Sequence, residues 1–269
     1  MNFIISTLIA ITSLNFNFLL SNQINYEDYL PSLTLEEKVG QLFMIGVFLG
    51  ANDEEIQPYL TDYKAGNLYI QGKYWTSAEQ LRRIKNFQKE VKIPYLIAQD
   101  LEWGLSQRMS DAIVYPHNMT LGAIQDLSLI EEMGEEVARQ CKAIGVNLNF
   151  APCVDVNTNP DNPVINARSF GDTPEKVSER GIAMMQGFKK HNLKSTAKHF
   201  PGHGDTSLDS HFHLPTTELA ESHLQPFRKL IENGVDCVMV GHLYIPTTDQ
   251  DNPASFSKTI IRSEEHTSE

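Results

Sequence analysis

Residues 127–155 read LSLIEEMGEEVARQCKAIGVNLNFAPCVD, and they contain one complete helix together with the strand that follows it. Apolar residues recur at steps of three and four, which predicts an amphipathic helix with one buried face: Ile130, Met133, Val137, Cys141 and Ile144. Gly145 then stands where a helix commonly ends in a left-handed residue. Residues 146–155 form an apolar run that ends in an aspartate, which is typical of a strand buried in a parallel sheet.

The same alternation of strand and helix runs through most of the chain. Five further apolar runs are predicted strands: 41–48, 66–71, 93–100, 194–200 and 236–242. Signals typical of helix starts lie between them: the capping-box pairs Thr34/Glu37 and Ser77/Gln80, and the first-turn prolines Pro174 and Pro226. Repeated units of this kind predict an α/β protein with a parallel sheet.

Six such strands fit either a doubly wound sheet or part of a (β/α)8 barrel, and both folds bind ligands at the carboxyl ends of their strands. The sequence contains neither G-x-G-x-x-G nor G-x-x-x-x-G-K-[ST], which removes the usual nucleotide-binding reason for a doubly wound sheet. We therefore predict an incomplete TIM barrel of about six βα units over residues 23–261.

Composition limits the classes of partner. The 269 residues are 41% hydrophobic and 21% charged, as in an ordinary globular protein. A net charge of -12 repels nucleic acid and anionic lipid. The three cysteines, Cys141, Cys153 and Cys237, form no C-x-x-C pair, and we expect buried thiols rather than a disulfide framework.

The first residues of the chain resemble a leader. Residues 2–20 are apolar and uncharged, and a polar stretch follows. We predict a signal peptide over residues 1–22, and with it export to the periplasm or the medium; if this segment is not a signal peptide, a cytoplasmic location is expected.

Ionisable residues are densest in residues 198–215, KHFPGHGDTSLDSHFHLP, which begin on a predicted strand end and continue as a glycine-rich loop. An aspartate beside an imidazole orients it and raises its pKa, so Asp209 and His211 form a candidate dyad. Such a histidine can donate a proton and then accept one, as glycoside cleavage requires. A metal site remains an alternative, although its candidate ligands match no known zinc spacing: His199, His203, Asp205, Asp209 and His211.

The segment KHFPGHG, followed by DSH and a proline, resembles the signature of the β-N-acetylhexosaminidase branch of glycoside hydrolase family 3. The resemblance implies a TIM barrel without a cofactor. It also implies that His211 is the acid/base and that Asp209 is its partner. Family 3 β-glucosidases lack this pair.

Other segments resemble the same family. Residues 100–104 (DLEWG) with Arg108 resemble its D-x-E-G-G segment, and residues 166–171 (NARSFG) resemble N-x-R-S-F-G. The resemblance implies five sugar-binding residues: Asp100, Arg108, Arg168, Lys198 and His199. Trp103 departs from the pattern, because the family usually has glycine there. The E-W-G variant is similar to Bacteroidetes-type members, in which a serine hydrolase domain often follows the barrel.

The family's nucleophilic aspartate follows a P-A-S-F-S segment, which is residues 253–257 here, and twelve residues remain after it. We expect that this nucleophile is missing, that residues 262–269 are a non-native tail translated from a sequencing adapter, and that the chain hydrolyses sugars negligibly. Asp249 and Asp251 are expected to be solvated loop residues.

Together these features predict a retaining exo-β-N-acetylhexosaminidase acting on terminal N-acetylglucosamine of peptidoglycan fragments or chitin-type oligosaccharides. Three alternatives stay open: a family 3 β-glucosidase, a non-catalytic carbohydrate-binding module and a metal-dependent hydrolase.

Overall fold

The computed structural model describes residues 28–48, 50–72, 75–89 and 91–262. The predicted signal peptide and residues 263–269 of the predicted non-native tail lie outside this part of the chain. Within it, none of the helices combines the length and the apolar character needed to cross a membrane.

All six predicted strands are present, and each pairs in parallel with its neighbour in the sequence: β1 (Met44–Phe48), β2 (Asn67–Gln71), β3 (Leu96–Gln99), β4 (Leu148–Asn149), β5 (Thr196–Phe200) and β6 (Cys237–Val240). β1 to β4 form one sheet, and β5 pairs with β6. Backbone hydrogen bonds join the two parts, because the Asn149 amide donates to the Lys194 carbonyl at 2.8 Å and the Thr196 amide donates to the Ala151 carbonyl at 2.8 Å. The six strands therefore form one continuous parallel array, as expected for part of a (β/α)8 barrel.

β4 is shorter than the predicted strand 146–155. Side-chain oxygens replace carbonyls along its edge: Asn147 Oδ1 accepts from the Ile97 amide at 2.7 Å, and Asn149 Oδ1 accepts from the Leu101 amide at 3.0 Å. Pro152 has no amide to donate. The segment therefore stays extended and buried without forming a regular ladder.

Eight α-helices are described: α1 (Leu35–Gly40), α2 (Asp53–Thr61), α3 (Ser77–Phe87), α4 (Asn118–Leu121), α5 (Leu127–Ala143), α6 (Pro174–Lys189), α7 (Glu221–Glu232) and α8 (Lys258–Arg262). The capping box of Thr34 and Glu37 is confirmed, and Pro174 occupies the first turn of α6. The predicted apolar face of α5 is buried, and Gly145 has a φ of 82°.

Two predicted helix starts are wrong. The capping box of α3 is formed by Thr76 and Glu79, because Gln80 is buried and donates its amide to Gln99 at 2.8 Å. Pro226 lies inside α7, which begins at Glu221. Pro226 is buried on the same face as Phe227, so packing of this face outweighs the lost backbone hydrogen bond.

The helices α5 and α6 approach each other closely through glycines. A Cβ atom on Gly187 would lie 2.2 Å from the carbonyl oxygen of Glu131, and one on Gly134 would lie 2.5 Å from that of Met184. Only residues without a side chain permit this contact. The packing fixes the helices that flank β4 and β5, whose carboxyl ends carry the site.

Candidate functional site

A cavity of about 610 Å³ opens at the carboxyl ends of the strands. Six of the seven predicted site residues line it: Asp100, Arg108, Arg168, Lys198, His199 and His211. The seventh, Asp209, is bonded to His211. The structure thus brings the predicted residues together from segments nearly one hundred residues apart in the sequence.

Lys198 lies at the base of the cavity and is 1% exposed. Its Nζ atom is 2.8 Å from Asp100 Oδ1 and 2.7 Å from Glu102 Oε1. The other oxygen of Asp100 accepts from Arg108 at 3.1 Å and from the Tyr69 hydroxyl. Burial alone would raise the pKa of Asp100, but Lys198 and these donors hold it well below its usual range, so the carboxylate is charged.

Glu102 is a site residue to which the sequence assigned no role. It is 2% exposed, and Arg168 donates to it from Nη2 at 2.8 Å and from Nε at 3.0 Å. Burial acts to raise the pKa of Glu102, and Lys198 with Arg168 lowers it to about 2. Glu102 stands two residues after the strand-end Asp100, and this position was the available signal for its role.

His199 is held in one tautomer by its neighbours. Its Nε2 atom lies 3.2 Å from Arg168 Nη2, which can only donate, so Nε2 accepts. Nδ1 therefore carries the proton and donates to Asp155 Oδ2 at 2.8 Å. Burial lowers the pKa of His199 despite the opposing charge of Asp155, and the imidazole is neutral at physiological pH.

Asp155 joins the base of the cavity to the loop that follows β5. Besides the His199 ring, it accepts from the backbone amides of His199 at 3.1 Å and His203 at 2.7 Å, and from the Cys153 thiol at 3.1 Å. Its role was not predicted, although its place at the end of an apolar run was the signal.

A metal ion is the alternative use of this group, because ligand atoms of Cys153, Asp155 and His199 lie within 4.8 Å of one another. Burial raises the pKa of the Cys153 thiol, and Arg168 already occupies His199 Nε2. These contacts favour a hydrogen-bonded network over a metal site. In the part of the chain that the structure describes, the other candidate ligands, His203, Asp205, Asp209 and His211, join no such group; the absence of a metal requirement stays a prediction.

The predicted dyad lies on the loop after β5. His211 Nδ1 is 2.6 Å from Asp209 Oδ1, which also accepts the His211 backbone amide at 2.8 Å. These two contacts lower the pKa of Asp209. The His211 side chain is 70% exposed, and because Nδ1 is committed to Asp209, proton exchange with a ligand must use Nε2. Beneath the loop, buried His203 Nε2 contacts Ser210 Oγ at 2.8 Å and ties the loop to the base of the cavity.

Known proteins with similar sequences and structures carry related names. The beta-hexosaminidase of Hydrogenovibrio crunogenus is 34% identical over 85% of this chain and 68% of its own length. A family 3 beta-N-acetylglucosaminidase from a Paenibacillus strain has a TM-score of 0.80 at 35% identity, over 87% of this chain and 48% of that one. NagZ of Neisseria gonorrhoeae, solved with N-trifluoroacetyl-D-glucosamine, has a TM-score of 0.74 at 29% identity, over 82% and 70% of the two chains.

The chain spans 31% to 61% of the length of several other curated relatives, which include beta-hexosaminidases and a beta-N-acetylglucosaminidase/beta-glucosidase. Residues 34–264 match the glycosyl hydrolase family 3 N terminal domain, which covers the strands, the cavity and the dyad loop. The chain therefore belongs to glycosyl hydrolase family 3.

Proposed function

We propose that the protein binds terminal β-linked N-acetylglucosamine and takes part in its hydrolytic release. The observation that carries this proposal is the meeting of a buried, charge-balanced network with an exposed aspartate–histidine pair at one cavity. The names of the relatives support the class of sugar. Peptidoglycan fragments and chitin-type oligosaccharides are the proposed substrates, and export through residues 1–22 would bring the protein to them.

The network suits an uncharged polyol. Three carboxylates, Asp100, Glu102 and Asp155, are balanced by three cations, Arg108, Arg168 and Lys198, and His199 is neutral. Neighbouring donors and acceptors of this kind match the hydroxyl groups of a pyranose, and charge-assisted hydrogen bonds are the stronger ones. Because the network holds these groups in place, little ordering is needed when the sugar binds.

His211 is proposed as the general acid and base. Its Nε2–H protonates the oxygen of the leaving group as the glycosidic bond breaks, and the same nitrogen then takes a proton from the water that releases the sugar. Asp209 holds the tautomer, and it stabilises the imidazolium form that exists before the first step and is restored by the second. A retaining mechanism needs a further carboxylate as nucleophile.

The described carboxylates are poor candidates for that nucleophile. Asp100 and Glu102 are paired with cations, and Asp155 is enclosed by hydrogen-bond donors. Asp249 caps a turn by accepting from the backbone amides of Asp251 and Asn252, both at 3.0 Å, and neither aspartate lines the cavity. We infer that the attacking group follows the segment at residues 253–257, as the family resemblance implies.

Calorimetric binding of N-acetylglucosamine and of glucose tests the sugar class. We expect tighter binding of the N-acetyl sugar, and Asp100→Asn should weaken it by about tenfold or more, because a charge-assisted contact is lost. Asp172→Asn is the matched control, since its ion pair with Lys176 lies at an exposed position outside the cavity. Equal or tighter binding of glucose would favour the β-glucosidase alternative.

Release of p-nitrophenol from its N-acetyl-β-glucosaminide tests the acid/base assignment. In a longer form of the protein that supplies the attacking carboxylate, His211→Ala should lower the rate by about 100-fold or more and leave binding of N-acetylglucosamine within about threefold, because the exposed side chain contributes to proton transfer rather than to the base of the cavity. Binding without any release by that longer form would instead favour the carbohydrate-binding module. Unchanged release by His211→Ala would exclude this residue as the acid/base.

A further inference from the structure

Trp103 lines the cavity next to buried Glu102, and one face of its indole ring is covered. The His117 imidazole stacks on it, with ring centroids 4.2 Å apart and planes tilted by 19°. His117 is exposed and does not line the cavity. The imidazole thus covers one face of the indole, while Trp103 itself remains among the residues that line the cavity.

The backbone around this stack is fixed on the side of Trp103. Gly104 has a φ of 85°, and a Cβ atom there would lie 2.7 Å from Cδ2 of Tyr115. The Tyr115 ring therefore packs against glycine backbone, and its hydroxyl accepts from the Gln140 side-chain amide of α5 at 3.2 Å. This contact holds the segment that leads into His117.

The backbone is fixed on the side of His117 as well. His117 immediately precedes α4, whose first residue, Asn118, is buried and donates its side-chain amide to the Arg168 carbonyl at 2.7 Å. Arg168 belongs to the base of the cavity. The aromatic pair is therefore anchored to α5 at one end and to the sugar-binding network at the other, which is the rigidity expected of a binding platform.

We propose that Trp103, backed by His117, is a platform for a second sugar ring, the one joined to the N-acetylglucosamine that occupies the cavity. This inference rests on the proposed function. Lys198 and Glu102 lie at the buried base, whereas Trp103 is partly exposed and His117 is exposed, so the platform lies nearer to solvent than the groups that would hold the first ring. The C–H face of a pyranose ring is apolar, and it loses contact with water when it packs on an indole.

Tryptophan fluorescence reports on this platform directly, because the chain has two tryptophans and the other, Trp75, is 7% exposed and lies outside this cavity. The experiment compares N-acetylglucosamine with N,N′,N″-triacetylchitotriose in a His211→Ala background, which prevents consumption of the ligand. We expect the trisaccharide to shift the emission and the monosaccharide to shift it less. Trp75→Phe should keep the ligand-induced shift, and Trp103→Phe should abolish that shift.

Calorimetry on the same background gives the affinities. Trp103→Gly should weaken trisaccharide binding by about 3- to 10-fold, as expected for one aromatic contact, and leave monosaccharide binding within about twofold. His117→Ala should give a smaller loss in the same direction, and it serves as the second variant if Trp103→Gly does not fold.

Two results would overturn the platform while leaving the proposed function intact. In one, the trisaccharide binds and Trp103→Gly leaves its affinity unchanged or weakens both sugars equally; in the other, the emission change disappears in Trp75→Phe. Failure of both sugars to bind the unsubstituted site would remove the proposed function and the platform with it.

Discussion

Replacing Glu102 by glutamine keeps the shape of the side chain and removes its charge. The carboxylate is 2% exposed and lies 2.8 Å from Arg168 Nη2 and 2.7 Å from Lys198 Nζ, so the variant leaves buried Lys198 and partly buried Arg168 short of one counter-charge. Because its partners lower the pKa of Glu102 from 4.5 to about 2, the charged form is favoured by about 3 kcal/mol. Removing one partner of a buried ion pair costs a similar ~3–5 kcal/mol.

The sign of the pH dependence follows from the direction of this shift. The folded pKa of Glu102 lies below the unfolded value, so its contribution is fully present above pH 4.5 and is lost as the pH falls through about 2. We expect Glu102→Gln to lower the free energy of unfolding by about 3 kcal/mol at pH 7 and by about 1 kcal/mol at pH 3. Urea unfolding followed by circular dichroism measures both values.

Glu136→Gln is the matched control. The pKa of Glu136 is also lowered to about 2, by its hydrogen bonds from Arg139, but its side chain is 34% exposed. Exposed ion pairs contribute about 0.2–1 kcal/mol because water screens them. A loss at Glu102 no larger than the loss at Glu136, or one that stays constant between pH 7 and pH 3, would refute the argument from burial.

Three further predictions concern packing, thiol reactivity and the state of His199. Gly187→Ala should lower the free energy of unfolding by about 1–3 kcal/mol, because its Cβ would meet the Glu131 carbonyl. The melting temperature measures this loss, and an unchanged value would contradict the close helix contact. Burial raises the pKa of the Cys141 and Cys153 thiols, so iodoacetamide should label them only after unfolding. Mass spectrometry detects the label, and rapid labelling of either thiol in the folded protein would contradict this expectation. Burial lowers the pKa of His199, so its NMR titration midpoint should lie below 6.5. Its contribution to stability should therefore be present above that pH and lost on acidification. A midpoint above 6.5 would show that the charge of Asp155 outweighs burial.

The sequence predicted which strands exist better than where they end. A buried strand can be predicted from its own run of apolar residues, without knowing which strand it pairs with. All six predicted strands were found. The end of a strand depends on hydrogen bonds to another segment. The sequence does not show that the side chains of Asn147 and Asn149 accept the amides that backbone carbonyls would otherwise accept. The start of α7 was missed for a related reason, since packing of a whole face outweighed the local signal of Pro226.

For the candidate site, the sequence likewise predicted individual residues better than the contacts between them. Lys198, His199 and Asp100 were identified because parallel strands bring their carboxyl ends together and because the family resemblance names them. The partners that fix these residues were missed, because Glu102 contacts Arg168, 66 residues away in the sequence, and Asp155 contacts His199, 44 residues away. Spacing along the chain carries no information about such pairs.

The balance of charge at the base of the cavity has a consequence for how the protein can change over evolutionary time. Asp100 and Glu102 share the cation Lys198, and Arg168 also pairs with Glu102, so a substitution that deletes one of these charges leaves another without compensation. Single replacements at positions 100, 102, 168 and 198 are therefore expected to be purged before a second change can repair them. These four positions should be inherited together or lost together, and a descendant that binds a charged sugar would have to rebuild them as a set.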